Sequence, residues 1–273
     1  FKYNGLRSNI QMKDYLKLKD ISLSYHTKEG ETLALENLSF SANKHEYLSI
    51  VGPSGCGKTT ILSLISGLLK PSKGEVLLDG EAIGKNVDIG YMFQRDQLFE
   101  WRTIYKNVTL GLELKKKTKD EECLKRVEYL LKQYGLFEFR NSYPSELSGG
   151  MRQRAALIRT LCLEPKILLL DEPFSALDYQ TKLNVCDDVH SIITKEKQTV
   201  IAVTHDISEA ISMSDRVLVL TKRPAKVKCI IEINLPKNLT PLEKREHKDF
   251  SKYFDLIWKE LSNEKEDNNN IHK

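Results

Sequence analysis

The sequence predicts an α/β protein with a largely parallel, buried sheet, because short apolar runs alternate along the chain with stretches of helical spacing. The four runs are residues 47–51, 167–170, 199–203 and 217–220. A second pattern lies nearer the start of the chain. Apolar and polar residues alternate over 16–25 and more loosely over 32–41, which predicts an antiparallel hairpin that turns at 26–31.

The middle of the chain has a helical pattern instead. Asp120 can cap a helix whose apolar positions lie three and four residues apart, and Gly135 can end it. We interpret about residues 95–162 as a helical subdomain inserted into the α/β core. The folded domain is predicted to span 15–262, with helices between 240 and 261. Residues 1–14 are predicted to be a tail, and 263–273 a disordered one.

Composition excludes several classes of protein. Of the 273 residues, 40% are hydrophobic and 29% charged, and the longest apolar runs fall far short of the roughly 20 residues that a membrane-spanning helix needs. The formal charge is +4 with scattered basic residues, so no nucleic-acid partner is expected. Five cysteines without a C-x-x-C spacing suggest neither a disulfide framework nor a thiolate metal site, and favour a reducing, cytoplasmic setting.

A phosphate-binding motif follows the first apolar run. Residues 52–59, GPSGCGKT, match G-x-x-x-x-G-K-[ST] and precede a segment with helical spacing. Glycines let backbone N–H groups turn toward phosphate oxygens, and the helix N-terminus adds partial positive charge. Lys58 is predicted to reach the outer phosphates and Thr59 to offer its hydroxyl to Mg²⁺. The predicted nucleotide-binding residues of this loop are Gly52, Pro53, Ser54, Gly55, Cys56, Gly57, Lys58, Thr59 and Thr60.

An acidic pair, Asp171 and Glu172, follows the run 167–170. Ligands of open α/β sheets bind at the carboxyl ends of the strands, so the pair is predicted to lie beside the phosphate loop. We expect Asp171 to hold Mg²⁺ and Glu172 to act as the general base that polarises the attacking water.

Residues 147–153, LSGGMRQ, resemble the LSGGQ signature of ATP-binding cassette (ABC) ATPases, with Met151 in place of the commoner Gln. The order of the other motifs also matches that family. The resemblance covers about residues 16–236. It implies a P-loop NTPase fold of the ABC nucleotide-binding type, with an antiparallel β subdomain and an inserted α-helical subdomain.

The resemblance implies ATP and Mg²⁺ as ligands and gives further residues a role. Tyr25 is expected to stack on the adenine, Gln94 to contact Mg²⁺ or the lytic water, and His205 to hydrogen-bond the γ-phosphate. A last group is expected to contact the nucleotide held by the opposite protomer of a head-to-tail homodimer. Its members are Ser148, Gly149, Gly150, Gln153 and Asp178.

Within the ABC family, the sequence favours a transporter subunit. Tandem cassettes need two such units on one chain, and chromosome ATPases need a long coiled coil between Gln94 and the signature. Residues 98–103 and 107–113 are similar to the LxxWRT and NVxLGLE stretches of nitrate, sulfonate and taurine importer ATPases. The resemblance implies permease subunits, an extracytoplasmic solute-binding protein, and a position on the cytoplasmic face of the membrane. A soluble ATPase that acts on a non-membrane protein remains the alternative.

Two side chains leave a choice open at this point. Trp101 either contributes to the groove that receives a coupling helix of the permease or packs locally in the helical subdomain. Cys56 is either a small side chain that the loop tolerates near phosphate, or a thiol whose alkylation abolishes hydrolysis and is blocked by bound ATP, because an electropositive loop favours thiolate.

Overall fold

The structure, a computed structural model, describes residues 14–27, 30–84 and 88–262, and within them the strands form two sheets. The strands are β1 (Leu16–Thr27), β2 (Gly30–Ala42), β3 (Tyr47–Val51), β4 (Lys73–Leu78), β5 (Glu81–Ala82), β6 (Ile89–Met92), β7 (Ile167–Asp171), β8 (Val200–Val203), β9 (Arg216–Leu220) and β10 (Val227–Glu232). The helices are α1 (Lys58–Ile65), α2 (Ile104–Val108), α3 (Leu110–Leu114), α4 (Glu121–Gln133), α5 (Gly149–Leu161), α6 (Tyr179–Lys195), α7 (Ile207–Met213), α8 (Pro241–Glu246) and α9 (Phe250–Ser262).

The larger sheet has the order β10-β9-β3-β8-β7-β6. Its strands are parallel except for β10, which pairs antiparallel with β9 at one edge. The four apolar runs of the sequence form the central strands β3, β7, β8 and β9, as predicted, because a strand covered on both faces requires continuous apolar residues. This topology brings the carboxyl ends of β3 and β7 to one edge of the sheet, where the phosphate loop and the acidic pair begin.

The smaller sheet has the order β2-β1-β4-β5 and contains the predicted hairpin. Pairing extends to Thr27↔Gly30, so both strands run further toward the turn than the sequence pattern indicated. Gly74 in β4 has a φ of 86°, and a Cβ there would lie 2.3 Å from the carbonyl oxygen of Lys19. Glycine at this position therefore allows β4 to approach β1 closely.

Helices α2 to α5 lie between β6 and β7 in the chain. Asp120 caps α4 as predicted: its Oδ1 accepts hydrogen bonds from the backbone N–H groups of Glu122 (3.0 Å) and Cys123 (3.2 Å). Gly135, with a φ of 70°, follows the end of the helix. Three apolar side chains on one face are fully buried, and these are Val127, Leu130 and Leu131.

The C-terminal helices α8 and α9 pack on the core, as their apolar spacing predicts. Ile257 of α9 is fully buried in a cluster with Ile207 of α7 and Val219 of β9. In the part of the chain that the structure describes, no helix is long and apolar enough to cross a membrane. The predicted tails lie outside that part, except for Asp14.

Candidate functional site

The phosphate loop runs from the end of β3 to the start of α1. Gly55 and Gly57 have φ angles of 70° and 122°, in the region that side chains disfavour, so the turn requires glycine at both positions. Gly52 is restricted by space instead: a Cβ there would lie 2.9 Å from the Sγ of Cys56 and 3.0 Å from the Cβ of Leu220. The backbone conformation of the predicted loop therefore depends on glycine at these positions.

Lys58 lies inside this loop. Its ammonium donates hydrogen bonds to the carbonyl oxygens of Gly52 (2.8 Å) and Pro53 (3.1 Å), and the residue is only 8% exposed. The charge is therefore held at the centre of the loop, where phosphate oxygens bind in such loops. Cys56 is 1% exposed. The side chain packs into the core beneath the loop, which favours a small side chain tolerated near phosphate over a thiol that alkylating reagents reach.

Asp171, at the end of β7, is held by two hydroxyls. The Oγ1 of Thr59 donates to its Oδ1 (3.3 Å), and the hydroxyl of Tyr91 donates to its Oδ2 (3.0 Å). Burial raises the pKa of Asp171, and these two hydrogen bonds partly offset that rise. The sequence reasoning missed Tyr91, because only the register of β6 against β7 brings its hydroxyl to this carboxylate.

Thr59 and Asp171 together fit a magnesium site. Both offer oxygen donors, which Mg²⁺ prefers, and one carboxylate is enough where substrate phosphates and water complete the shell. No group of three or more His, Cys, Asp or Glu side chains suited to a metal occurs among the residues that the structure describes. The two protein oxygens of Thr59 and Asp171 leave the other positions of the magnesium shell to phosphate oxygens and water.

Glu172 and His205 come together beside this pair. The backbone N–H of Glu172 donates to the carbonyl oxygen of Val203 (2.9 Å), which joins the ends of β7 and β8. The Nδ1 of His205 lies 3.1 Å from the Oε2 of Glu172. Glu172 has a φ of 47°, a costly conformation for a side-chain-bearing residue and one that is often found at functional sites.

Tyr25 and Gln94 approach the site from other elements. The hydroxyl of Tyr25 lies 3.0 Å from the Oγ1 of Thr60, so the hairpin places an aromatic ring against the first turn of α1. Gln94 is exposed two residues after Met92, which pairs with Leu170 of β7. It therefore follows β6 at the sheet edge where the acidic pair follows β7.

The signature forms the exposed start of α5. Ser148 is its N-cap, and its Oγ accepts a hydrogen bond from the backbone N–H of Met151 (3.4 Å). Gly149 borders a cleft of about 410 Å³ that Gln94 also lines, and none of residues 52–60 lines that cleft. Within one chain, the signature therefore does not share this cleft with the phosphate loop.

The remaining predicted contacts to an opposite protomer differ in exposure. Asp178 is exposed and caps α6, and its Oδ1 accepts from the backbone N–H of Thr181 (3.0 Å), which lowers the pKa of Asp178. Gln153 is 5% exposed, and its amide donates to the carbonyl oxygen of Pro173. The Gln153 side chain therefore contacts the segment that follows Glu172 in its own chain and is not available to contact a partner.

Trp101 lies on an exposed surface of the helical region. It is 74% exposed and stacks on Phe99 with ring centroids 4.8 Å apart. Asn107, fully buried beneath, accepts from the N–H of Phe99 (2.7 Å) and donates to the carbonyl of Arg102 (3.0 Å). The alternative of a local core tryptophan is therefore wrong.

Comparisons with known proteins agree with this geometry. The sequence profile of a family described as ABC transporter matches residues 35–175. The uncharacterized ABC transporter ATP-binding protein YtlC of Bacillus subtilis (strain 168) is 45% identical over 252 residues, 91% of this chain and 96% of its own.

Two further relatives have names that specify a solute. The nitrate import ATP-binding protein NrtD of Synechocystis sp. (strain ATCC 27184 / PCC 6803 / Kazusa) is 39% identical over 250 residues, 89% of this chain and 93% of its own. The aliphatic sulfonates import ATP-binding protein SsuB of Bacillus cereus (strain ZK / E33L) is 39% identical over 222 residues, 81% of this chain and 87% of its own.

A solved structure has the same fold. It is the ATP-binding cassette MJ0796, a dimer in a post-hydrolysis state bound to ADP and Pi. Its TM-score is 0.67 at 33% identity, and the match covers 81% of this chain and 100% of that one. The predicted α/β fold of the nucleotide-binding type is thereby confirmed.

Proposed function

This chain belongs to the ABC transporter family of ATP-binding ATPases, and from that premise we propose that it powers an importer of a small solute. We propose further that the solute is of the kind handled by nitrate and sulfonate importers, whose named ATPases are similar along most of this chain. The main observation in support of ATP hydrolysis is that four functional side chains lie together where β3 and β7 end. They are Lys58, Thr59, Asp171 and Glu172.

Each residue at this edge can perform one part of ATP hydrolysis. The backbone of the loop and the ammonium of Lys58 bind the phosphates, while Thr59 and Asp171 hold Mg²⁺. Mg²⁺, when bound, neutralises charge on the outer phosphates. Glu172 then takes the proton of the attacking water, with His205 near enough to orient its carboxylate and to contact the γ-phosphate.

The active site is proposed to be completed by a second copy of the chain. Ser148, Gly149 and Gly150 present a helix N-terminus that suits an anion, yet it borders a cleft that no residue of the phosphate loop lines. A head-to-tail pair of chains gives each signature a γ-phosphate to bind, with Asp178 between the two sites. ATP then favours the closed pair, and hydrolysis removes the contacts that hold it.

Permease subunits are the proposed partners, with the chain on the cytoplasmic face of the membrane and an extracytoplasmic solute-binding protein in the full system. The exposed pair Phe99 and Trp101 supports a docking surface for the permease, because aromatic anchors contribute strongly at interfaces. The family relation and this surface together favour the transporter over the soluble alternative.

We expect Trp101→Ala to separate hydrolysis from coupling. Because the ring is mostly exposed and stacks on Phe99 rather than on a residue of the ATP site, the isolated variant should keep its ATP turnover. Turnover stimulated by the reconstituted permease should fall at least about tenfold, a hot-spot effect. Trp258→Ala, another exposed tryptophan, serves as the matched control. Unchanged stimulation in Trp101→Ala would remove this surface from the proposal.

The ATPase proposal is tested by Glu172→Gln. Loss of the general base should lower the rate of phosphate release by about 10²–10⁴-fold, while ATP binding, followed with a fluorescent analogue, persists. Glu138→Gln, at an exposed position away from the site, should match the wild-type rate. A Glu172→Gln protein that kept its rate would mean that another residue is the base.

A further inference from the structure

A cavity of about 450 Å³ lies at the opposite edge of the larger sheet from the phosphate loop. Tyr47 and Asp215, which line it, stand at or before the amino ends of β3 and β9, whereas the phosphate loop follows the carboxyl end of β3. His190 and Ile193 of α6 and Lys244 of α8 form other walls. The cavity is thus distinct from the nucleotide site, and no step of ATP hydrolysis uses it.

Lys244 is the unusual group in this cavity. The residue is 6% exposed, its Nζ keeps some contact with solvent, and within the described chain this ammonium has neither a hydrogen bond nor an ion pair. The neighbouring carboxylate of Asp215 is already engaged: its Oδ2 accepts from the N–H of Tyr47 (2.9 Å), and its Oδ1 lies 3.3 Å from the Nζ of Lys237. A largely buried ammonium whose neighbouring carboxylate is shared with Lys237 can pair with a second anion, and a ligand in the cavity would supply that anion.

The charges around the cavity have one dominant sign. Three lysines line it, namely Lys197, Lys237 and Lys244, against the single carboxylate of Asp215. Burial and the charge of Lys244 lower the pKa of His190 to about 4, so its imidazole is neutral at pH 7. Burial lowers the pKa of Lys244, the carboxylate of Asp215 partly offsets that decrease, and the charge of Lys237 adds to it.

The cavity also has an apolar wall. Ile193 and Met213 are 4% and 1% exposed, and the ring of Tyr47 is 6% exposed. A volume of this size suits a small organic molecule rather than a single inorganic ion. The combination of a buried cation with an apolar wall is complementary to a ligand that has an anionic head and a short hydrocarbon part.

We propose that this cavity binds a small amphipathic organic anion, with its charged head on Lys244 and its hydrocarbon part against Ile193 and Met213. The head accepts a charge-assisted hydrogen bond from the ammonium, which is stronger than a hydrogen bond between neutral groups. The proposal does not depend on the function proposed above, because binding at this edge is measured apart from ATP turnover.

The test is calorimetric titration of the full chain with butane-1-sulfonate at constant ionic strength, with ADP at saturation so that the phosphate loop is occupied. We expect one bound sulfonate per chain. Lys244→Gln should raise the dissociation constant at least about tenfold, the effect of losing one charge-assisted hydrogen bond. Lys248→Gln, an exposed lysine just beyond α8 that does not line the cavity, should leave it unchanged.

Three results would overturn the proposal. They are the absence of binding to a chain that still binds ADP, equal affinity in Lys244→Gln, and inorganic sulfate that binds as tightly as butane-1-sulfonate. Lys244→Met keeps the length and packing of the side chain, so it decides the question if the glutamine variant fails to fold. Butan-1-ol, which lacks the charge, should not bind detectably.

Discussion

The carboxylate of Asp171 is oriented from two sides by hydroxyls that belong to different elements. Thr59 stands on α1, while Tyr91 reaches across from β6. Burial, the charge of Asp171 and the hydrogen bond to it raise the pKa of the Tyr91 phenol, so the phenol remains protonated at pH 7 and can donate. Side chains that orient a metal ligand in this way affect metal affinity although they never touch the metal.

We therefore expect Tyr91→Phe to impair magnesium use. Without the hydroxyl, the Oδ2 of Asp171 loses a fixed donor, and ATP turnover should fall about 10- to 100-fold. The Mg²⁺ concentration for half-maximal turnover should rise in parallel, which a titration of steady-state rates measures. Tyr129→Phe, an exposed tyrosine on α4, is the matched control. An unchanged magnesium dependence in Tyr91→Phe would contradict this role.

The sequence predicts site residues where a motif is local and misses those that depend on strand register. Lys58 and Thr59 lie in one loop, and Asp171 and Glu172 end one strand, so short patterns suffice to find them. Tyr91 has no such pattern and enters only because β6 pairs with β7. Gln153 shows that a local motif can also mislead. Its place in the signature predicts a contact with the partner, but in the structure its amide donates a hydrogen bond to the carbonyl oxygen of Pro173.

At the scale of elements, one buried side chain shapes the loop that presents Trp101. Asn107 of α2 is fully buried and makes hydrogen bonds to backbone groups of Phe99, Arg102 and Thr103. Such bonds replace the secondary structure that the loop lacks. The loop between β6 and α2 is therefore held in a fixed shape at its exposed end.

Asn107→Ala should destabilise the chain and release this loop. Removal of the amide leaves several buried backbone groups without partners, which predicts a loss of roughly 2–4 kcal/mol in the free energy of unfolding. Urea denaturation measures the change, and Asn141→Ala, at an exposed asparagine, provides the comparison. A loss below about 0.5 kcal/mol would mean that the loop is held by other contacts.

The strands that the sequence predicts correctly are those whose burial on both faces produces a continuous run of apolar residues. The central strands β3, β7, β8 and β9 are almost wholly buried and read as apolar runs. The edge strand β10 has mixed exposure, and β4 is exposed over its first half, so neither was predicted from its own pattern. Half-exposed edges carry too little apolar signal for sequence periodicity to find them.

At the scale of the whole molecule, the cavity around Lys244 could not be predicted from sequence. Its lining comes from β3, α6, α7 and α8, from the segments before β3, β8 and β9, and from Lys237 after β10, and these segments share no sequence motif. A lysine in a short charged helix ordinarily predicts a solvated side chain. Only the packing of α8 onto α6 turns Lys244 inward.

The same cavity makes stability depend on pH. The pKa of His190 is about 4 in the folded chain against 6.5 when unfolded, so between these values only the unfolded state binds the proton. Stability therefore falls as pH falls, and going from pH 7 to 5 should cost about 2 kcal/mol through this residue. Urea denaturation of His190→Gln should lack this part of the decrease, whereas His26→Gln, at an exposed position, should retain it. Equal pH dependence in both variants would contradict the assignment.

Two copies of the chain are proposed to complete each ATP site. The molecular mass of the Glu172→Gln variant in solution tests this pairing most directly. In light scattering with Mg²⁺ and ATP, this variant should double in mass, and with ADP it should remain a monomer. Adding Ser148→Arg at the exposed signature should abolish the dimer, whereas Ser145→Arg, exposed three residues earlier, should not. A Glu172→Gln protein that stays monomeric with bound ATP would contradict the account.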